Sequence, residues 1–388
     1  MLGKRPQIAF ITAQYTKDRR SWSGTFYFMY HALQQHVGDV TLIGPIEPFF
    51  ATWIGKIATG LSQKIFHKRY NYRHSYLLAK AYASVLNKQL KKNRYDLIVI
   101  PARSTFIPYL ETDVPIIHIG DSTVQNTMEY YPALTNLYEF SRKETLAIEQ
   151  AALSKSSLLI YSSQWASDSA IHDFHINPEK VFTIPFGANL EHAPDREMIM
   201  TKQLTKTCRL LWLGVDWARK GGDMAFDTLT ELIRMGIDAE LTICGCVPPA
   251  KYTHPKLHVI PYINKNDAEQ SKKLDALFWD SDFLILPTRK ECFGIVFCEA
   301  SAFGVPSVTT DTGGISSAVI DGENGFLLPV SATGKDYAKV IAGIFSNQKR
   351  YTALVSQSRD LFESTLNWDT WGKKFRDASL PLFDKPTQ

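Results

Sequence analysis

Two carboxylates in RKECFGIVFCEASAFGVP, residues 289–306, stand where structural acids are seldom placed. Glu291 comes just before Phe293, Gly294 and Ile295, which read as the glycine-marked entrance of a helix. Glu299 falls among Phe297, Cys298, Ala300, Ala302 and Phe303, the apparent buried side of that helix. Compensation of the helix dipole accounts for Glu291 at about 0.3–1 kcal/mol. It does not account for Glu299, because an acid among apolar neighbours must be solvated, paired or bound to something. The vicinal hydroxyls of a sugar can donate two hydrogen bonds to one carboxylate, and the unpaired N–H groups of a first helical turn can meet an anion.

Three further stretches have matching chemistry. Arg219 and Lys220 precede Gly221 and Gly222, and two cations beside flexible glycines at a helix start form a diphosphate grip, the alternative being a solvated loop with incidental charge. Ser23, Gly24 and Thr25 open another helix, where a glycine lets backbone N–H groups approach an anion or simply belongs to an ordinary cap. His118, Asp121, Ser122 and Thr123 cluster at the end of PIIHIG and could bind sugar hydroxyls or handle a proton. Against that, His118 could be a hydrogen-bonded core histidine and Asp121 the cap of the next helix.

The elements that must position these residues are legible from the alternation of short apolar runs with longer helical patterns. IAFIT (8–12), VTLI (40–43), DLIVIP (96–101), PIIHIG (115–120) and SLLIYSS (157–163) form one series. RLLWLGV (209–215), ELTICG (240–245), LHVIPYI (257–263), DFLILPT (282–288) and PSVTTD (306–311) form a second, after the loop-like PFGANLEHAPDRE (185–197). That rhythm predicts two α/β domains with parallel sheets, joined near residue 195. In such sheets ligands bind beyond the carboxyl ends of the strands, which is where all four stretches fall. Trp368, Trp371 and Phe375 in 366–383 have the spacing of an amphipathic helix that packs on another surface.

At 388 residues, two domains are also the prior from length alone. A net charge of +4 argues against a dedicated nucleic-acid binder, for which a clustered basic excess is expected. The five cysteines lack the paired spacing of a zinc module and do not suggest a disulfide framework. The run after Lys4 and Arg5 is too short for a signal peptide and no apolar stretch spans a bilayer, so the expected location is cytoplasmic. Residues 48–95 contain ten cations and no acid, interleaved with Phe49, Phe50, Trp53, Ile54 and Phe66. Such a segment could make peripheral contact with anionic lipid at the inner face of a membrane, or be a helix pair with a solvated basic face.

The ordered set of motifs closely resembles the retaining glycosyltransferases of the GT-B fold, in the large family often called family 4. The resemblance rests on ECFGIVFCE (291–299), on ASAFGVPSVTTDTGGISSAVIDGENGFLLP (300–329), on RKGGD (219–223) and PFGAN (185–189), and on the early Gly24. It implies two Rossmann-like domains facing each other across a cleft. The acceptor domain would span 1–195 with a crossover helix in 366–388, and the nucleotide-sugar domain 196–365. It also implies that Glu299 accepts from the ribose hydroxyls and that Glu291 contacts the transferred sugar. Backbone groups of Phe293, Gly294, Ile295 and Val296 would hold sugar and diphosphate, and Lys220 with Arg219 would neutralise the leaving group. Gly24 and Thr25 would close on the same phosphate, with His118 or Asp121 facing the sugar.

The implied reaction moves a hexose-type sugar from a nucleotide-diphospho-sugar to a glycan, a lipid-linked or another hydroxyl acceptor, with no metal or other cofactor. An epimerase or phosphorylase on the same scaffold, or a non-catalytic sugar-nucleotide-binding protein, is the alternative. One departure concerns the grip: many relatives carry an arginine directly after the glycine of LLWLG, where this chain has Val215 and Asp216.

Overall fold

All ten apolar runs become strands, and two further strands complete a pair of six-stranded parallel sheets. The computed structural model describes residues 5–383; Lys4, residues 384–388 of the expected terminal segment, and the side chain of Phe66 lie outside what it describes. The first sheet contains β1 (Gln7–Ile11), β2 (Asp39–Ile43), β3 (Leu97–Pro101), β4 (Ile116–Gly120), β5 (Leu158–Tyr161) and β6 (Val181–Thr183), in the order β2-β1-β3-β4-β5-β6. The second contains β7 (Cys208–Leu213), β8 (Ala239–Cys244), β9 (Leu257–Ile260), β10 (Phe283–Leu286), β11 (Ser307–Thr310) and β12 (Gly325–Leu328), in the order β12-β11-β10-β7-β8-β9.

Burial explains the sequence patterns. β3 and β4 are buried at every position, as strands covered by helices on both faces must be, and so read as unbroken apolar runs. The edge strand β2 alternates between exposed and partly buried residues until Ile43. The two strands missed from sequence are also at edges: β6 has three half-buried residues, and β12 begins on a glycine. Gly325 is needed there, since a Cβ would stand 2.1 Å from the Ser307 carbonyl oxygen of β11.

The chain divides into two units. One takes in the described residues up to Ile184 together with those from Trp371, and the other is Pro185–Thr370. The division therefore falls at Pro185 rather than near 195, and the stretch read as loop runs into a short helix, Arg196–Ile199, inside the second unit. The terminal helix Trp368–Phe383 begins in the second unit, where the Trp368 indole donates to Asn189 Oδ1 at 2.9 Å. From Trp371 it belongs to the first unit: Trp371 and Phe375 are fully buried, and a Cβ on Gly372 would meet the His36 ring at 2.5 Å.

Candidate functional site

In the second unit the strand order reverses between β7 and β10, the point where open α/β sheets leave a crevice at their carboxyl ends. Two loops meet there. After β7 the chain makes a tight turn, with the Lys220 N–H donating to the Asp216 carbonyl at 3.0 Å and the Gly222 N–H to the Trp217 carbonyl at 2.9 Å. Gly221 has φ +68°, and a Cβ on it would lie 1.9 Å from the Pro287 carbonyl oxygen, so only glycine lets the two loops cross so closely. They are then laced together. The Arg289 N–H donates to the Arg219 carbonyl at 2.8 Å, the Arg219 guanidinium to the Lys290 carbonyl at 2.9 Å, and the Arg289 guanidinium to Asp223 at 2.6 Å.

This lacing brings Arg219, Lys220 and Glu291 together. Lys220 and Glu291 form an ion pair with side chains only 13% and 12% exposed, and Arg219 Nη1 lies 3.9 Å from the same carboxylate oxygen. Where the family resemblance leads to the expectation of an arginine, Val215 is exposed and Asp216 instead holds Arg219, accepting its N–H at 3.1 Å with its carboxylate 3.5 Å from Nε.

The helix Ile295–Ala302 starts beside this pair. Gly294, at φ +86°, is its N-cap, and a Cβ there would strike the Phe297 ring at 2.4 Å. The Phe297 N–H is already bonded to the Gly294 carbonyl at 3.0 Å, so not every first-turn donor is available to a ligand as expected; Ile295 and Val296 supply the others. Phe293 is buried, with its ring edge-on to Phe186 at 5.5 Å.

Glu299 is 2% exposed and paired. Lys265 Nζ, in the loop after β9, donates to its Oε1 at 2.6 Å. Burial pushes the Glu299 carboxyl up from its ordinary range, and Lys265 opposes that shift. Sequence reasoning missed this partner. The signal was a charged loop, INKND, following a strand that ends at the same edge of the sheet.

In the first unit, Trp22, Ser23 and Gly24 form a left-handed turn with φ of 48°, 58° and 95°, from which the helix Thr25–His36 departs with Thr25 buried. The Trp22 indole donates to Asp121 Oδ2 at 3.2 Å, which ties the turn after β1 to the loop after β4. Asp121 is not a helix cap: Thr123 caps the next short helix, in a reciprocal box with Asn126. His118 lies inside β4 rather than beyond its end, 3% exposed, with Nδ1 2.9 Å from the Ile100 carbonyl of β3. Burial depresses its pKa to about 4. A neutral ring with Nδ1–H on a carbonyl presents Nε2 as an acceptor.

Residues 210–361 match the family described as Glycosyl transferases group 1. The chain carries a glycosyl transferases group 1 domain. Among curated relatives, D-inositol 3-phosphate glycosyltransferase of Corynebacterium diphtheriae is 24% identical over 46% of this chain and 46% of that protein. The match thus spans about half the length of that relative. Among solved structures, WaaG, a glycosyltransferase involved in lipopolysaccharide biosynthesis, superposes with a TM-score of 0.64 at 19% identity, covering 96% of this chain and 99% of that one. Anabaena Alr3699/HepE, solved in complex with UDP and glucose, gives 0.61 at 15% identity, covering 97% and 100%. With this glycosyl transferases group 1 domain in the second unit, the fold is GT-B, with two Rossmann-like units.

Proposed function

We propose that this protein is a retaining, metal-independent glycosyltransferase that moves a hexose-type sugar from a nucleotide-diphospho-sugar to a hydroxyl of a glycan or lipid-linked acceptor. The observation that carries the reading is the arrangement around the start of the helix Ile295–Ala302. A lysine and an arginine meet Glu291 on one side, and a buried glutamate with its own lysine stands one helical turn further on. Cations, backbone donors and carboxylates within one crevice suit a ligand that combines diphosphate with two sets of hydroxyls.

In this reading Glu299 accepts from the ribose, and Lys220 with Arg219 takes up the diphosphate charge. The Ile295 and Val296 N–H groups supplement the cations, and Glu291 accepts from a hydroxyl of the transferred sugar. The bond between the sugar C1 and the diphosphate oxygen breaks while an acceptor hydroxyl oxygen bonds to C1 on the same face. The acceptor proton passes to the departing phosphate oxygen. Charge grows on the diphosphate as the bond breaks, so preformed cations stabilise the transition state more than the ground state. In the first unit, His118 Nε2 accepts from a sugar hydroxyl and Asp121 holds Trp22, fixing the Gly24–Thr25 turn for phosphate. Because Alr3699/HepE was solved with UDP and glucose, UDP-hexoses are the first donors to screen.

The test is donor turnover measured with Glu291→Ala and Glu299→Ala. Loss of one carboxylate contact made in the transition state lowers kcat/KM by about a hundredfold or more. Wild-type turnover in both variants would reject the assignment.

A further inference from the structure

The helix Phe49–Phe66 is mounted the wrong way round for an ordinary surface helix, which turns its large apolar residues to the core. Its inward side is small or polar. Thr52 and Gly55 are buried, and a Cβ at Gly55 would stand 2.4 Å from the Tyr72 ring. The Thr59 hydroxyl donates to the Tyr70 carbonyl at 2.7 Å and the Ser62 hydroxyl to the Lys68 carbonyl at 2.9 Å. Phe49, Trp53, Ile57, Leu61 and Ile65, four residues apart and therefore on one face, are exposed instead, between 41% and 70%. Phe50, at 79%, and Ile54 widen the stripe, and Phe140, 60% exposed, stacks on Tyr70 at 5.8 Å.

The charge around this stripe is predominantly positive. Lys56, Lys64 and Lys68 are exposed along the helix and just past it, and Arg73 and Lys80 follow in the acid-free interval 48–95. Of the nearby acids, Glu139 pairs with Arg142 and Glu144 accepts from the Tyr70 hydroxyl and the Tyr76 N–H, while Glu47 makes only a long, exposed approach of 4.0 Å to Lys56. Two such surfaces would repel each other, which disfavours a second copy as the cover. No helix among the described residues is long and apolar enough to cross a membrane.

We infer that the helix Phe49–Phe66 lies flat in the interface of an anionic lipid bilayer. Phe49, Phe50 and Trp53 enter the acyl boundary, and Lys56, Lys64 and Lys68 meet the headgroups. This surface does not depend on which sugar is transferred.

The experiment is co-sedimentation of the full chain with phosphatidylcholine vesicles, with and without about one-third phosphatidylglycerol. Binding to the anionic vesicles is expected to be stronger by about tenfold or more, and to weaken with added salt. The exposed triple variant Phe49→Ser, Phe50→Ser, Trp53→Ser should lose binding by about tenfold or more while keeping the parent's circular dichroism and Tm. Lys56→Glu with Lys64→Glu should remove the preference for anionic lipid. Failure to bind the anionic vesicles, or full binding by the triple variant, overturns the proposal. So does concentration-dependent dimerisation that the triple variant abolishes in the absence of vesicle binding.

Discussion

The carboxylate of Glu299 is subject to two opposing pulls: burial favours its protonated form, and Lys265 at 2.6 Å favours the charged one. In the proposed role Glu299 accepts from a ribose in its charged form, and Lys265 is the group that favours that form. Binding that requires ionised Glu299 is lost as pH falls through its pKa, and removing the lysine raises that pKa. Lys265→Met should therefore weaken nucleoside diphosphate binding most on the acid side of neutrality and recover much of it at higher pH. Calorimetric Kd values across pH check this, and a pH-independent loss would show that Lys265 acts on the ligand directly. Glu299 was legible as an anomaly because an acid among Phe297, Cys298 and Ala300 demands a partner. The partner itself was not, because 34 positions separate it in the chain and only the fold brings its loop to the helix that carries Glu299. The local grip of Arg219 by Asp216 was likewise hidden, since Val215–Asp216 reads in sequence only as a missing arginine.

At the scale of elements, full burial makes a strand plain in sequence, although the edge strand β9, with no buried residue, is still legible from its apolar letters. β3, β4 and β10 are buried throughout and read as unbroken apolar runs, whereas β6 has no fully buried residue and leaves no such trace. The loops between strands are specified by steric demands that composition does not reveal. Gly221 illustrates one: alanine there would combine a left-handed backbone with a Cβ 1.9 Å from Pro287 O. Gly221→Ala should cost more than about 2 kcal/mol and weaken donor binding by separating the two laced loops. Gly343 is the contrasting case, in the helix Gly334–Phe345 with nothing within 4 Å of a Cβ. Gly343→Ala should stabilise by about 0.5–1 kcal/mol and leave turnover unchanged. Denaturant titration measures both.

At the scale of the whole molecule, the periodicity conveyed two sheets and a seam, while the place of the seam depends on packing. Pro185 belongs to the second unit through its continuation: the Ala188 N–H donates to the Leu366 carbonyl at 2.9 Å, and Asn189 accepts from Trp368. The first unit is completed by residues from Trp371 onward, so Trp371→Ala, a large cavity in a buried site, should cost about 3–5 kcal/mol. Hydrogen exchange should then quicken across β1 to β5, and an unchanged pattern there would contradict the division. The same division has a consequence for synthesis. On the ribosome all of Pro185–Thr370 emerges before Trp371 and Phe375, so the second unit has its full sequence while the first still lacks two buried aromatic side chains. The part of the chain made first is therefore finished last, and its partly built core is the one that chaperones would have to shelter.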